Sequence, residues 1–229
     1  MRVGVLYTGG KDSTYAMWRA IQQSRDIACL IILKSENPYS FMYHSTNIDW
    51  VQKLHPKALG IPVICQKTKG TKEAELADLK KALQKAIKQY KIEGVISGAN
   101  ASKYQQYRLE TICADLGLRS IAPIWNVDPE QYLSEIIKVG FKIIITSVSA
   151  GGLTDKWLGR PLDEQAFAEL KELRAKFGLN INGEGGEYET MVLDGPPFKF
   201  KIEILDGEKV WLNDHGIYRI KKAKLRRKS

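Results

Sequence analysis

The sequence predicts an α/β protein: a doubly wound parallel sheet followed by a smaller α+β domain. Three observations predict it. Strand-like and helix-like segments alternate through the first half of the 229 residues. The strand-like segments are continuous apolar runs, such as Ile27-Ala28-Cys29-Leu30-Ile31-Ile32-Leu33, as expected of strands covered by helices on both faces. After Gly183 the pattern changes to short strands separated by turn signals. Alternation implies right-handed βαβ units and therefore parallel pairing.

Taken in order, strands are expected at about 2–7, 27–34, 61–66 and 92–97, and helices at about 12–24, 46–59, 72–90 and 102–116. The pattern shifts near 118–126, so the first domain is expected to span 1–122 and the second 123–229. In the second, a helix near 128–139 leads into a buried strand, Lys142 to Val148, and a further helix is expected near 163–177. Short strands follow near 189–194, 199–205, 208–212 and 217–222, with turns at Asp194-Gly195-Pro196-Pro197 and Asp206-Gly207.

Composition is that of a globular protein, 44% hydrophobic and 27% charged. No apolar run reaches spanning length, so no membrane partner is expected. Met1-Arg2-Val3-Gly4 enters a strand at once, which makes the cytoplasm the expected location. Cys29, Cys65 and Cys113 form no C-x-x-C pair, and Cys29 and Cys65 read as small core hydrophobes. The net charge is +9, but the segment from Lys221 to Lys228 supplies six of those positives and no acids. A contact of 221–228 with RNA or the ribosome is one reading of it. A solvated, frayed terminus is the favoured one. The sequence carries no signal of oligomeric state.

Chemistry concentrates first in Thr8-Gly9-Gly10-Lys11-Asp12-Ser13, between the first strand and the first helix. A glycine pair there lets the backbone turn tightly and aim N–H groups at an anion. Lys11 and the hydroxyls of Thr8 and Ser13 suit phosphate, and Asp12 suits a divalent cation. The common P-loop does not fit, because Asp12 follows Lys11 and Val5 stands where its first glycine belongs. The segment resembles instead the PP-loop of ATP pyrophosphatases, whose HUP-like sheet it implies; these enzymes cleave ATP between the α and β phosphates and adenylate a substrate. Ser97-Gly98-Ala99-Asn100, after the fourth strand, is expected to meet this loop at the carboxyl ends of the strands.

A second concentration is Asn182-Gly183-Glu184-Gly185-Gly186-Glu187-Tyr188-Glu189-Thr190. Three carboxylates within six residues repel one another unless cations or donors compensate. The residues alone leave open Mg²⁺, a cationic substrate, ammonia, or a solvated turn. With Met191-Val192-Leu193-Asp194-Gly195-Pro196 the segment resembles the signature of the diphthine–ammonia ligase family. Gly98-Ala99-Asn100-Ala101-Ser102-Lys103-Tyr104-Gln105-Gln106-Tyr107-Arg108-Leu109-Glu110 and Gly152-Leu153-Thr154-Asp155-Lys156-Trp157-Leu158-Gly159-Arg160 extend it, as does the stretch from Ser40 to Asn47. Gln106 stands where the family often has Arg, and Thr154 where an acid is common.

The resemblance implies the last step of diphthamide formation on translation elongation factor 2. ATP activates the carboxylate of diphthine, a modified histidine, and ammonia gives the amide with release of AMP and pyrophosphate. It implies ATP and Mg²⁺ as cofactors, and elongation factor 2 and ammonia as partners. Residues 1–122 are then an ATP-binding domain and 123–229 a substrate-binding domain. Lys11, Asp12 and Glu187 are the expected catalytic residues, and Asp12 the metal ligand. Thr8, Gly9, Gly10, Lys11, Asp12, Ser13, Leu33 and Gly98 are expected to hold the nucleotide. Leu33 is read as closing the second strand with its backbone facing adenine. His44, Arg108, Glu184, Glu187, Tyr188 and Glu189 are expected on the substrate. For an aromatic cage around diphthine's trimethylammonium group, Tyr188 and Trp157 are favoured, while Trp125 reads as core. The alternatives are a tRNA-modifying ligase with a PP-loop and a non-catalytic nucleotide sensor.

Overall fold

The computed structural model describes residues 1–36, 46–71 and 74–228. The chain divides into two compact units, Met1–Trp125 and Asn126–Ser229.

The first unit holds strands β1 (Arg2–Leu6), β2 (Asp26–Ser35), β3 (Val63–Thr68), β4 (Gly94–Ile96) and β5 (Arg119–Ile121). Helices α1 (Lys11–Gln22), α2 (Ile48–Leu59), α3 (Ala74–Tyr90) and α4 (Lys103–Asp115) alternate with them. Every pairing is parallel, in the order β3-β2-β1-β4-β5. Cys29, Leu30, Ile31 and Ile32 are consecutive and each at most 1% exposed. Successive strand residues point to opposite faces, so both faces of this sheet are covered. Leu79 and Leu83 of α3 and Leu109 of α4 join Ile31, Leu33 and Val95 in one core. β5 was not foreseen, because it is three residues long and begins with a charged one. Cys29 and Cys113 are buried whereas Cys65 is only half-buried, so the core thiols are 29 and 113 rather than 29 and 65. Burial pushes the Cys29 thiol up to about 12 and Cys113 up to about 11.

The second unit holds helices α5 (Pro129–Lys138) and α6 (Glu164–Phe177) and strands β6 (Lys142–Val148), β7 (Tyr188–Asp194), β8 (Phe200–Leu212) and β9 (His215–Arg227). Both helices start on an aspartate cap: Gln131 N–H donates to Asp128 and Ala166 N–H to Asp163, each at 2.9 Å. The antiparallel sheet runs β7-β6-β9-β8. Two expectations fail here. Asp206-Gly207 is no turn but a bulge inside one long strand, β8, and the reversal comes at Asn213-Asp214, with Asn213 at φ +52°. Gly207 is needed because a Cβ there would stand 2.5 Å from Tyr218 Oη. The basic segment is no frayed terminus either. Residues to Arg227 pair in register with β8, and Lys221–Glu208, Lys224–Glu203, Arg226–Glu203 and Lys228–Asp194 are ion pairs. The acids that balance the tail lie across the hairpin, where a linear reading of charge does not see them. Among the described residues no helix is long and apolar enough to cross a membrane.

Candidate active site

The first unit builds its site where the strand order reverses, between β1 and β4, the place where open parallel sheets bind ligands. Beyond β1 the chain turns at Gly9, φ +79°, where a Cβ would lie 2.6 Å from Val51 Cγ2. Only glycine fits both the conformation and the space. Gly10 caps α1 and has no side chain to offer the first-turn amides. The helix start therefore presents backbone donors and the positive end of the helix dipole.

Hydroxyls hold the loop in shape. Ser13 Oγ accepts the Thr8 N–H at 3.2 Å and donates to the Gly10 carbonyl at 3.3 Å. Thr8 Oγ1 accepts the Gly10 N–H at 3.3 Å. Lys11 is 3% exposed, and its Nζ lies 3.0 and 3.1 Å from the two Asp12 carboxylate oxygens. Beneath the loop, Thr14 Oγ1 donates to the Gly10 carbonyl at 2.8 Å and lies 3.1 Å from Tyr7 Oη. Tyr7 Oη in turn lies 2.8 Å from His55 Nδ1. Tyr7 and His55 were not singled out in the sequence. Burial pushes the Tyr7 hydroxyl far up and the His55 imidazole down to about 3, so both are neutral.

Gly98 follows β4 and presses on the same loop: a Cβ there would lie 2.6 Å from Ser13 N and 2.7 Å from the Asp12 carbonyl carbon. The loops after β1 and β4 thus touch through a position where any side chain would separate them. Next to it, the buried Ser97 Oγ has no partner among the described residues. Leu33 does not close its strand, since β2 runs on to Ser35. Its backbone nonetheless lies beyond the stretch of β2 that pairs with β1. Ile31 C=O accepts from Tyr7 N–H, while Leu30 N–H donates to Pro62 on the other side. Strand alternation then points the Leu33 N–H and C=O past the end of β1.

Of the expected substrate residues, Arg108 lies on α4, its guanidinium 4.3 Å from the Tyr104 ring centre. Glu110 accepts from Gln106 Nε2 at 2.5 Å. His44 lies outside the described residues. The others are in the second unit, in the loop that enters β7. There the carboxylate of Glu187 folds back on its own loop. Oε1 accepts the Asn180 N–H at 3.2 Å, and the buried Oε2 has no partner among the described residues. A Cβ at Gly185 would lie 2.7 Å from Oε1, so the glycine makes room for this fold. Ser149 N–H donates to the Glu187 carbonyl at 2.9 Å and Ser149 Oγ to Gly186 O, tying the loop to the end of β6. Glu184 is exposed, and its N–H donates to Asn182 Oδ1 at 3.3 Å. Glu189 sits in β7 opposite Ser147. Among the described residues no three His, Cys, Asp or Glu side chains converge on a metal position.

The aromatic expectations reverse. Tyr188 is 3% exposed and its hydroxyl donates to the Ile181 carbonyl at 2.8 Å, so it is a core residue rather than a substrate contact. Trp157 is 5% exposed, with the Arg160 guanidinium 4.7 Å from its ring centre. Trp125, read as core, is half-buried and lines a groove.

Comparisons with known proteins identify the family. Residues 1–120 match the diphthamide synthase N-terminal domain and residues 128–225 the diphthamide synthase C-terminal domain. A protein of Bos taurus named diphthine–ammonia ligase is 35% identical over 229 residues, covering 92% of this chain and 85% of its own. One of Danio rerio with the same name is 37% identical over 222 residues, covering 89% and 86%. Among solved structures, a predicted subunit of tRNA methyltransferase from Methanocaldococcus jannaschii aligns with a TM-score of 0.45 at 15% identity, over 85% of this chain and 98% of that one. With both domain models matched in order and relatives above one third identity along nearly its whole length, the chain belongs to the diphthine–ammonia ligase family.

Proposed function

We propose that this chain is an ATP-dependent amide ligase that converts diphthine on translation elongation factor 2 to diphthamide. The observation that carries the chemistry is the uncapped start of α1, walled by Gly9 and Gly98 and held open by the Thr8–Ser13 hydroxyl web. Amides at such a helix start, with Lys11 beside them, suit the phosphates of ATP. The outward edge of Leu33 suits the hydrogen-bonding edge of adenine, as Asn and backbone groups elsewhere read bases.

A carboxylate does not react with ammonia at neutral pH, because it has no adequate leaving group. In the proposed first step a diphthine carboxylate oxygen attacks the α-phosphorus and pyrophosphate leaves. In the second, ammonia attacks the acyl carbon, AMP leaves with the bonding pair, and the nitrogen gives up a proton. Lys11 and the loop amides stabilise charge developing on the departing pyrophosphate. Asp12 offers one carboxylate beside this cradle, which fits Mg²⁺ drawing its other ligands from phosphate and water. Such an ion, when bound, neutralises phosphate charge.

Glu187 is proposed to receive ammonium. Its orphaned oxygen asks for a donor, which an ammonium ion supplies. Because the protein substrate works on ribosomes, the activity is placed in the cytoplasm. Nothing in it uses the segment 221–228. A tRNA-modifying sulfur transfer is disfavoured by the buried, raised thiols of Cys29 and Cys113.

The test incubates the protein with ATP, magnesium and ammonium, adding either elongation factor carrying diphthine or tRNA, and measures AMP. Release with the elongation factor alone is expected. Asp12→Ala should keep the native circular dichroism spectrum and lose AMP formation. Release with tRNA alone, or wild-type turnover in the variant, would overturn the reading.

A further inference from the structure

The first unit carries a groove of 420 Å³ that the chemistry above does not use, lined by Lys103, Gln106, Tyr107, Glu110, Ala122 and Trp125. Four of these residues, 103, 106, 107 and 110, recur at helical spacing and form one face of α4. The other two follow directly on β5, so the groove opens at the carboxyl edge of the sheet, the edge that bears the phosphate-binding loop. β5 is two strands from β1, which puts the groove about 10 Å along that edge. Leu33 lies on the opposite side of β1. Nucleotide base, phosphates and groove therefore succeed one another across the switch point.

We infer that this groove binds the betaine head of the substrate side chain, its trimethylammonium group and the adjoining carboxylate. The inference rests on the ligase reading and names the part of the site that recognises the substrate. A quaternary ammonium has no N–H to donate, so it is recognised by aromatic faces and a nearby carboxylate. The groove supplies both. Tyr107 is 71% exposed, an unusual position for a large ring with no cover, and Trp125 lines the same groove. Glu110 carries the negative charge, held in place by the bond from Gln106 Nε2. Lys103, in the first turn of α4, matches the carboxylate that must be presented to ATP. Glu110 and Lys103 lie seven residues apart on the lining helix face, so their long side chains must converge on a zwitterion whose two charges sit on one carbon. The loop at Glu187 does not compete for this group, because its orphaned oxygen is buried and trimethylammonium is too bulky to reach it.

The test uses the full chain and small probes first. Glycine betaine, tetramethylammonium and tert-butylacetate, the isostere that keeps the carboxylate and replaces the ammonium nitrogen with neutral carbon, are titrated by NMR against wild type, Tyr107→Leu, Glu110→Gln and Lys103→Met. Saturable binding of glycine betaine but not tert-butylacetate is expected, weakened about tenfold by Tyr107→Leu and by Glu110→Gln. Lys103→Met should weaken glycine betaine and spare tetramethylammonium. In the AMP-release assay, Glu110→Gln should raise KM for the diphthine-bearing factor about tenfold with KM for ATP unchanged. Equal binding of tert-butylacetate, or unchanged KM in Glu110→Gln and Tyr107→Leu, would overturn the inference while leaving the ligase reading intact. Absence of AMP release in wild type would sink the ligase reading, and the probe titrations would still decide whether the groove takes a betaine.

Discussion

Glu187 shows how much chemistry depends on the direction of one side chain. Its Oε1 is engaged by the Asn180 amide, and its Oε2 is enclosed without a partner among the described residues. A buried carboxylate oxygen left unpaired is costly, and a cation that fills the place offsets the cost. Glu187→Gln keeps the size and deletes the charge. The ammonia-dependent rate should fall about tenfold or more, since a hydrogen bond to a charged group contributes about 1.5–3 kcal/mol. ATP affinity should stay within about twofold, as the groups proposed to hold the nucleotide are all in the first unit. The measurement is AMP release against ammonium concentration beside nucleotide binding by calorimetry. An unchanged KM for ammonium would return the loop to a purely structural role. Gly185 and Gly186 belong to the same device, one by leaving room for the carboxylate and the other through φ +87°.

At the scale of elements, the β8–β9 hairpin is where charge and structure are joined. Ion pairs across it hold Glu208 below the usual carboxylate range through the hydrogen bond from Lys221. Pairs this exposed add little to stability; the ladder itself and the buried Ile202 and Ile220 add more. Removing residues 221–229 takes the partner from Phe200–Asp206 and exposes an unpaired edge. The truncated protein should melt about 10 °C lower, the shift expected for a loss of a few kcal/mol in a chain of this size. Neutralising Lys222 and Arg227 to Gln in the full chain should move the melting point far less. Equal melting of truncated and full chains would show that the segment is an unattached tail after all.

For the whole molecule, His55 links stability to pH. Its folded value is pushed down by burial to about 3 from an unfolded 6.5. Above pH 6.5 neither state binds this proton. Between 6.5 and 3 the unfolded chain binds it and the folded one does not, so stability falls as the pH drops. The slope approaches about 1.4 kcal/mol per pH unit. Below pH 3 this group adds no further loss. Glu169 and Glu208, both held low, begin to lose stabilisation only below about pH 4.5, so the range from 6.5 to 5 reports mainly on His55. Urea midpoints should therefore fall between pH 7 and pH 5, and His55→Gln should flatten that dependence. A flat wild-type profile would mean that His55 is solvated.

Local order in this chain was legible because it is set by local physics. The alternation of apolar runs with helical periodicity placed the parallel sheet. The Thr8–Ser13 segment placed the tight turn into α1, because a strand passing directly to a helix start needs those residue types wherever it occurs. What only the tertiary structure decided were relations between distant residues. Asp206-Gly207 reads as a turn in isolation and becomes a bulge because the strand runs on through it, paired with Lys222 and Ile220 of β9. The basic terminus reads as solvated and becomes a strand because it pairs along β8, where Glu203 and Glu208 also meet its cations. Tyr7, Thr14 and His55 form one buried network although 48 residues separate its ends. The exchange of Tyr188 and Trp157 for Trp125 has the same origin. Which face of a ring meets water depends on what other elements pack against it, and one-dimensional spacing does not contain that.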